Sequence, residues 1–403
     1  MKIWIISLYD PTEIDDTRPM RFLSLAQKSA EFQHEVTYFS NTFRHATKKN
    51  RFEKQTTVEH SENYKTIFIK SSAYKKNMSL WRLFSHYEYA KNIINFFNNS
   101  QEKPDIIVSA LPPILTNYKL SKWCLKNKIP YVIDVIDPWP EIFLRIVPKW
   151  LHLPFKILMY PFYYQVKFAI KNASGIFSIS KQYIFWAEKF KSRKNQINDV
   201  FYPSVDLDKY QKEMSKYKRI NNSKVRLVYA GNLGLSYDIP CILNAAKLLE
   251  DNYPGKTEFI FAGLGGHEDL IKSYQKDYKN IDYLGRIGHT ELLELYASSD
   301  IGLAQYSEGA TQSITYKFFD YLGAGLPILN SLQSEMSELI EKNDLGLNNL
   351  PGDFNKLAEN IVQLFDNDLL NLYRKNAINF TSKFGDNKIV YKNYIETLQQ
   401  ILT

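Results

Sequence analysis

The chain has 403 residues, 44 % hydrophobic and 23 % charged, a composition that excludes a disordered or fibrous protein and a length that suits two domains better than one core. Two cysteines, Cys124 and Cys241, are too few for a disulfide framework or a zinc site, which fits a reducing cytoplasm. A net charge of +8 with 15 % aromatic residues suits an anionic partner such as a bilayer face or phosphates, whereas nucleic acid is disfavoured because no recognised motif accompanies the charge.

The opening MKIWIISLYDP meets Asp10 and Pro11 too soon for a signal peptide and reads as a first strand. After it, short apolar runs alternate with helical stretches, the pattern of repeated βα units and a parallel sheet. Predicted strands are Lys2–Leu8, Glu35–Phe39, Thr66–Ile69, Asp105–Ala110, Pro130–Asp134, Gly175–Ile179 and Asp199–Tyr202. Basic and aromatic residues interleave at Tyr74, Trp81, Arg82 and Tyr87 and again from Arg145 to Lys171. Within the second stretch, Leu151 to Ile170 is the nearest approach to a membrane span, but prolines and charges interrupt it.

Between Tyr202 and Val225 the sequence turns polar and holds no period, which predicts a linker at 204–225 between domains at 1–203 and 226–385. The alternation then restarts with Arg226–Ala230, Phe259–Ala262, Ile281–Tyr283, Ile301–Ala304 and Pro327–Leu329. A last amphipathic helix, at about 386–403, is expected to cross back onto the first domain.

Three of these strands run into glycine, at Ala230–Gly234 (AGNLG), Ala262–Gly266 (AGLGG) and Leu284–Gly288 (LGRIG). Glycine lets backbone approach a ligand closely, and ligands of open parallel sheets bind beyond the carboxyl ends of strands. Thr311 or Ser313 is placed to cap a helix that Gly323 and Gly325 terminate, and its free N–H groups suit a diphosphate. Lys317 adds a full charge, and Asp320, three residues on, shares its helix face.

The order AGNLG, FIFAGLGG, NIDYLGRIGHTELLELYASSDIGL and SITYKFFDYLGAGLPIL closely resembles the donor domain of GT-B glycosyltransferases of family 4, the group that includes bacterial capsule and lipopolysaccharide transferases. SNTFRH, PDIIVSALPP, IPYVIDVIDPWPEIF and GIFSISKQY resemble the strand-end loops of the same subgroup, so the likeness covers essentially the whole chain. It implies an α/β GT-B fold: two facing Rossmann-like domains with parallel sheets and an interdomain cleft, the first for acceptor and the second for a nucleotide sugar. It also implies a retaining transferase that needs no metal or other cofactor, with the nucleoside diphosphate sugar as co-substrate. The acceptor would be a glycan or a polyprenyl-diphosphate-linked glycan, and the enzyme would be cytoplasmic, touching the inner face of an anionic plasma membrane.

Residue by residue, the family's second acid, which contacts the ribose, falls on Asp320, and the first, which faces the transferred sugar, falls on Gln312, an amide that hydrogen-bonds hydroxyls without supplying charge. Glu308 is the nearby acid. Where relatives carry an arginine and a lysine for the diphosphate, this chain has Asn232 and Asp238, which leaves Lys317 and Arg286 as the cations. Gly231, Asn232, Gly234 and Gly263 would admit the phosphates, Ser313, Thr315 and Tyr316 would offer donors at the helix start, and Arg286–Ile287–Gly288 would hold the base edge. On the acceptor side Asp137 would orient the hydroxyl, with His45 in place of a family histidine that is Ile136 here. Arg18 and Arg21 stand where relatives have a glycine pair; a helix-surface role for both is the alternative. A nucleotide-sugar epimerase of the same fold and a catalytically silent, partner-binding relative are the rival readings.

Overall fold

A computed structural model describes residues 1–15, 17–77, 79–190, 195–216 and 224–403. The chain forms two compact units, Met1–Phe201 with Tyr391–Thr403, and Tyr202–Val390.

In the first unit the strands are β1 (Lys2–Ile6), β2 (Glu35–Asn41), β3 (Phe43–Arg44), β4 (Lys49–Asn50), β5 (Thr56–Ser61), β6 (Tyr64–Ile69), β7 (Ile106–Leu111), β8 (Tyr131–Val135), β9 (Gly175–Ser178) and β10 (Ile197–Val200). Between them lie α1 (Arg21–Glu31), α2 (Leu80–Asn99), α3 (Ile114–Asn127), α4 (His152–Leu158), α5 (Tyr160–Asn172) and α6 (Lys181–Glu188). The sheet order is β10-β9-β8-β7-β1-β2-β6-β5, parallel except that β5 pairs antiparallel with β6, and β3 and β4 form a separate hairpin. The sequence pattern misses β5 because it is an edge strand whose residues alternate between half-buried and exposed, so TTVEHS contains no apolar run. The stretch Leu151–Ile170 is two helices broken at Met159, and no described helix is long and apolar enough to cross a membrane.

The second unit contains β11 (Val225–Ala230), β12 (Thr257–Ala262), β13 (Ile281–Gly285), β14 (Ile301–Ala304), β15 (Ile328–Asn330) and β16 (Gly346–Asn348), all parallel in the order β13-β12-β11-β14-β15-β16. Its helices are α7 (Leu207–Met214), α8 (Ile239–Asn252), α9 (Glu268–Asp277), α10 (His289–Ala297), α11 (Tyr316–Gly323), α12 (Glu335–Lys342), α13 (Phe354–Gln363), α14 (Asn367–Phe384) and the start of α15 (Asn387–Leu402). Successive residues of the central strands serve opposite faces: Val228, Ala230, Ile260 and Ala262 enter one core, and Leu227, Tyr229, Phe259 and Phe261 the other. β16 is only three residues long, too short to leave a pattern in the sequence.

The segment read as a linker carries α7 and belongs to the second unit. Asp206 caps this helix by accepting from the Lys209 N–H at 3.1 Å, and only Leu207 and Tyr210 are buried, so one short apolar face among charged residues hides it from periodicity. Residues 217–223 of that segment lie outside the described residues.

Within the first unit, the end of α15 is fixed by a buried polar knot. Tyr394 donates to Asp134 at 2.9 Å, Arg21 Nε pairs with the same carboxylate at 2.7 Å, and Tyr391 donates to the Arg21 carbonyl at 3.0 Å. Arg21 is 2 % exposed and Asp134 0 %. Arg21 is therefore a packing residue, neither on the helix surface nor in a binding position.

Candidate functional site

In both sheets the strand order reverses next to the first strand, between β1 and β7 and between β11 and β14. Open α/β sheets bind ligands in the crevice outside the carboxyl ends of the strands at such a reversal. In the second unit this point is flanked by the AGNLG loop after β11 and by the segment that leads from β14 into α11.

The glycine loops hold one another. Gly231 N–H donates to the Ala262 carbonyl at 2.8 Å, Gly263 N–H to Gly285 at 2.7 Å and Leu233 N–H to Leu264 at 3.0 Å. A Cβ on Gly263, whose φ is +142°, would lie 1.8 Å from the Gly231 oxygen. Gly263 is thus required by loop-on-loop contact, whatever ligand the loops meet. Gly231 has a second reason, since a Cβ there would stand 2.8 Å from Lys317 Cε. The glycine leaves the space that Lys317 fills.

Lys317 enters that space from the second position of α11. The helix begins at Tyr316 with Thr315 at the cap, not at Thr311 or Ser313 as the sequence predicts, and no side chain caps it. Three cap-forming residues in five positions left the start ambiguous, and tertiary partners decide it. The Thr315 hydroxyl is 3.0 Å from Tyr306 Oη, and the Ser313 carbonyl accepts from Ser334 Oγ at 2.7 Å. Ser313 is fully buried, and among the described residues its Oγ, Gln312 Oε1 and Lys317 Nζ are buried polar atoms with no hydrogen-bond partner. Three unsatisfied groups within six residues are an uncommon concentration in a folded interior.

The Lys317 ammonium lies 3.7 Å from the centre of the Tyr229 ring and 4.2 Å from that of Tyr237. Burial drives its pKa well below the ordinary lysine value, and the Asp320 charge opposes this only in part. Asp320, three residues on, is 5 % exposed and accepts from Tyr210 Oη of α7 at 3.0 Å. The predicted linker thus supplies a partner to a predicted site residue. Neither tyrosine of the ring pair, nor Tyr210, is signalled by a motif; Tyr229 is the last residue but one of a strand that runs into a glycine loop, which is the only sequence cue.

The remaining predicted donor residues are spread more widely. Asn232 and Arg286 are exposed, Tyr316 is half-buried, and Ile287 packs against the second unit's core. Gly288 N–H donates to Glu291 at 2.7 Å and starts α10, and a Cβ on Gly234 would meet the Asn232 side chain at 2.8 Å. Asp238 caps α8 and accepts from the Gly352 N–H at 2.7 Å, so it is structural. Glu308 is exposed in a turn.

In the first unit, Asp137 follows β8, half-buried, with its pKa pushed up to about 6 by burial against the opposing charge of Arg82. Beside it is a polar cluster that the sequence only hinted at through its basic and aromatic interleaving. Arg82 Nη2 donates to Tyr9 Oη at 2.9 Å, and Tyr9 Oη lies 2.6 Å from His86 Nε2. The arginine's hydrogen bond occupies the phenol oxygen as acceptor, so the phenol hydrogen serves the imidazole. The guanidinium also stands over the Tyr9 and Trp139 rings at 5.4 and 5.0 Å. His45 Nδ1 is 2.5 Å from Tyr74 Oη and 3.1 Å from Lys48 Nζ, and burial with the neighbouring cations lowers its pKa to about 4. Arg18 is half-buried on the loop after β1, three residues before Arg21.

Comparison with known proteins adds the following. Residues 224–367 match the family described as glycosyl transferases group 1. Protein CapJ of Staphylococcus aureus is 24 % identical over 287 residues, spanning 70 % of this chain and 66 % of CapJ, just under two thirds of that protein. A sucrose-phosphate synthase from Thermosynechococcus elongatus superposes with a TM-score of 0.74 at 14 % identity, covering 99 % of this chain and 98 % of that one. Anabaena HepE in complex with UDP and glucose superposes with a TM-score of 0.67 at 15 % identity, covering 99 % of each chain. The chain has the α/β GT-B glycosyltransferase fold, and its second unit carries the sequence signature of group 1 glycosyltransferases.

Proposed function

We propose that the chain is a retaining, metal-independent glycosyltransferase of family 4 that moves a sugar from a nucleoside diphosphate donor to a glycan or polyprenyl-diphosphate-linked acceptor in bacterial cell-surface polysaccharide synthesis. The observation that carries this reading is the buried Lys317 ammonium, which Asp320 compensates only in part, at the uncapped start of α11 within six residues of the unpartnered Ser313 Oγ and Gln312 Oε1. A diphosphate supplies what each cationic or N–H group there lacks, and the helix dipole favours it. HepE with UDP and glucose bound supports the donor class, and the likeness to WaaG, a glycosyltransferase involved in lipopolysaccharide biosynthesis, supports the pathway.

In this reading Gly231 and Gly263 admit the phosphates, Asp320 meets the ribose, and Arg286 with Ile287 borders the base. The C1–O bond breaks with its electron pair passing to the β-phosphate oxygen, where Lys317 and the α11 N–H groups stabilise the charge. The acceptor oxygen bonds C1 on the same face, and its proton passes to the departing phosphate oxygen. Gln312 holds sugar hydroxyls, and Asp137 orients the acceptor hydroxyl, with His45 close by in its own unit. Lysines and exposed rings of the first unit support peripheral contact with an anionic inner membrane face. A thermal-shift screen of nucleotide sugars tests the donor claim, because a ligand of the folded state raises the melting temperature. UDP or another nucleoside diphosphate should raise it, and a complete lack of response across uridine, guanosine, cytidine, adenosine and thymidine donors would overturn the reading.

A further inference from the structure

Lys48 and Arg82 are two cations held side by side, and although the Arg82 charge is felt by Asp137, neither cation makes an ion pair among the described residues. Asn77 bridges them, accepting from Lys48 Nζ at 2.6 Å through its side chain and from Arg82 Nη1 at 2.9 Å through its carbonyl. Among the described residues no carboxylate lies within ion-pairing distance of either, and Arg82 Nε is buried without an acceptor. The imidazoles of His45 and His86 complete the cluster, and Lys75 and Lys76 stand exposed on the loop just before it. Like charges gathered in a half-buried place repel one another, and the Arg82 charge lowers the Lys48 pKa, so a bound anion would relieve a repulsion that Asp137 offsets only in part.

The helix that carries Arg82 shows a second face. Leu80 is 82 % exposed and Trp81 68 %, and Phe84 lies 6.4 Å from the Trp81 ring, itself 46 % exposed. Large apolar side chains in one exposed turn mark a contact surface. An occupant must therefore be anionic at one end and hydrocarbon at the other.

The geometry points to a binding site for the diphosphate head of a polyprenyl carrier, with Lys48 and Arg82 on the phosphates and Trp81 and Phe84 along the first isoprene units. This rests on the transferase reading for the purpose of the carrier, but not for its chemistry. Arg82 also stands over the ring of Trp139, two residues from Asp137, which places the head group beside the residue assigned to the acceptor hydroxyl.

The test is calorimetric titration of the full chain with geranyl diphosphate, inorganic diphosphate and geraniol, followed by a competition with phosphatidylglycerol vesicles. Geranyl diphosphate should bind more tightly than inorganic diphosphate, and geraniol more weakly than either. R82Q and K48Q should each weaken both phosphate ligands at least tenfold, whereas W81S should weaken geranyl diphosphate alone. Near-ultraviolet circular dichroism of the same variants reports whether the first unit is folded, and UDP titration reports whether the donor reading stands, since no part of the cluster belongs to the second unit. Unchanged diphosphate affinity in R82Q and K48Q would overturn the site. So would displacement of geranyl diphosphate by vesicles from wild type and R82Q alike, which would assign the surface to the bilayer alone.

Discussion

Replacing Lys317 by methionine keeps an unbranched chain between Tyr229 and Tyr237 and removes the charge. A buried ammonium that Asp320 compensates only in part costs several kcal/mol of desolvation. Two ring contacts return about 2 kcal/mol, and a methionine sulfur against the same rings returns about 1 kcal/mol. Without ligand, K317M should therefore be more stable than wild type by about 1–3 kcal/mol at neutral pH. The pH dependence fixes the cause. The folded pKa of Lys317 is depressed, so the unfolded chain binds the proton more tightly, and wild-type stability rises with pH at up to about 1.4 kcal/mol per unit between that depressed value and about 10.4. K317M lacks this rise, so the gap should close as pH increases. Donor binding moves the other way: a charged hydrogen bond to phosphate contributes about 1.5–3 kcal/mol, and K317M should bind UDP about 10- to 150-fold more weakly. Thermal melts from pH 7 to 10 and UDP titration read both effects. A variant that melts below wild type with an unchanged pH slope, or that binds UDP as tightly as wild type, would show that Lys317 is neither a destabilising buried charge nor a phosphate ligand.

Three further substitutions probe other parts of the account. Because Asp137 must be ionised to accept from the acceptor hydroxyl, and its pKa is about 6, kcat/KM should fall tenfold per unit as pH drops below about 6 and stay level above it. D137N should lose this limb along with about 10- to 150-fold of activity, and retention of the limb would assign it to another group. D134N leaves the Arg21 guanidinium buried without a counter-charge and should cost about 3–5 kcal/mol in denaturant unfolding of the first unit; a loss below about 1 kcal/mol would contradict the buried pair. G263A places a methyl against the Gly231 oxygen at a φ of +142° and should lower both stability and UDP affinity, so a wild-type melting curve would show that the loops do not need that contact.

The interior strands were legible in the sequence because parallel strands buried on both faces read as apolar runs, and β11 and β12 feed two cores with alternate residues. Half-exposed β5, three-residue β16 and the charged helix α7 were not, since none presents an apolar run of its own. Lys317 was legible from its place ahead of a glycine-ended helix, but its surroundings were not: Tyr229 and Tyr237 come from β11 and the following loop, and only the fold brings them to the ammonium. Arg82 shows the same limit. Its aromatic neighbours were visible in sequence, while its meeting with Tyr9, Lys48 and Trp139 depends on four separate chain segments.

Transfer itself is the claim on which the rest depends. The direct measurement is nucleoside diphosphate release from a panel of nucleotide sugars, with and without a polyprenyl-diphosphate-linked acceptor, followed by NMR of the anomeric centre in the product. A retaining transferase should release nucleoside diphosphate only when acceptor is present, give a product with the donor's anomeric configuration, and lose both in K317M. Isomerisation of the donor without acceptor, or an inverted product, would contradict retaining transfer.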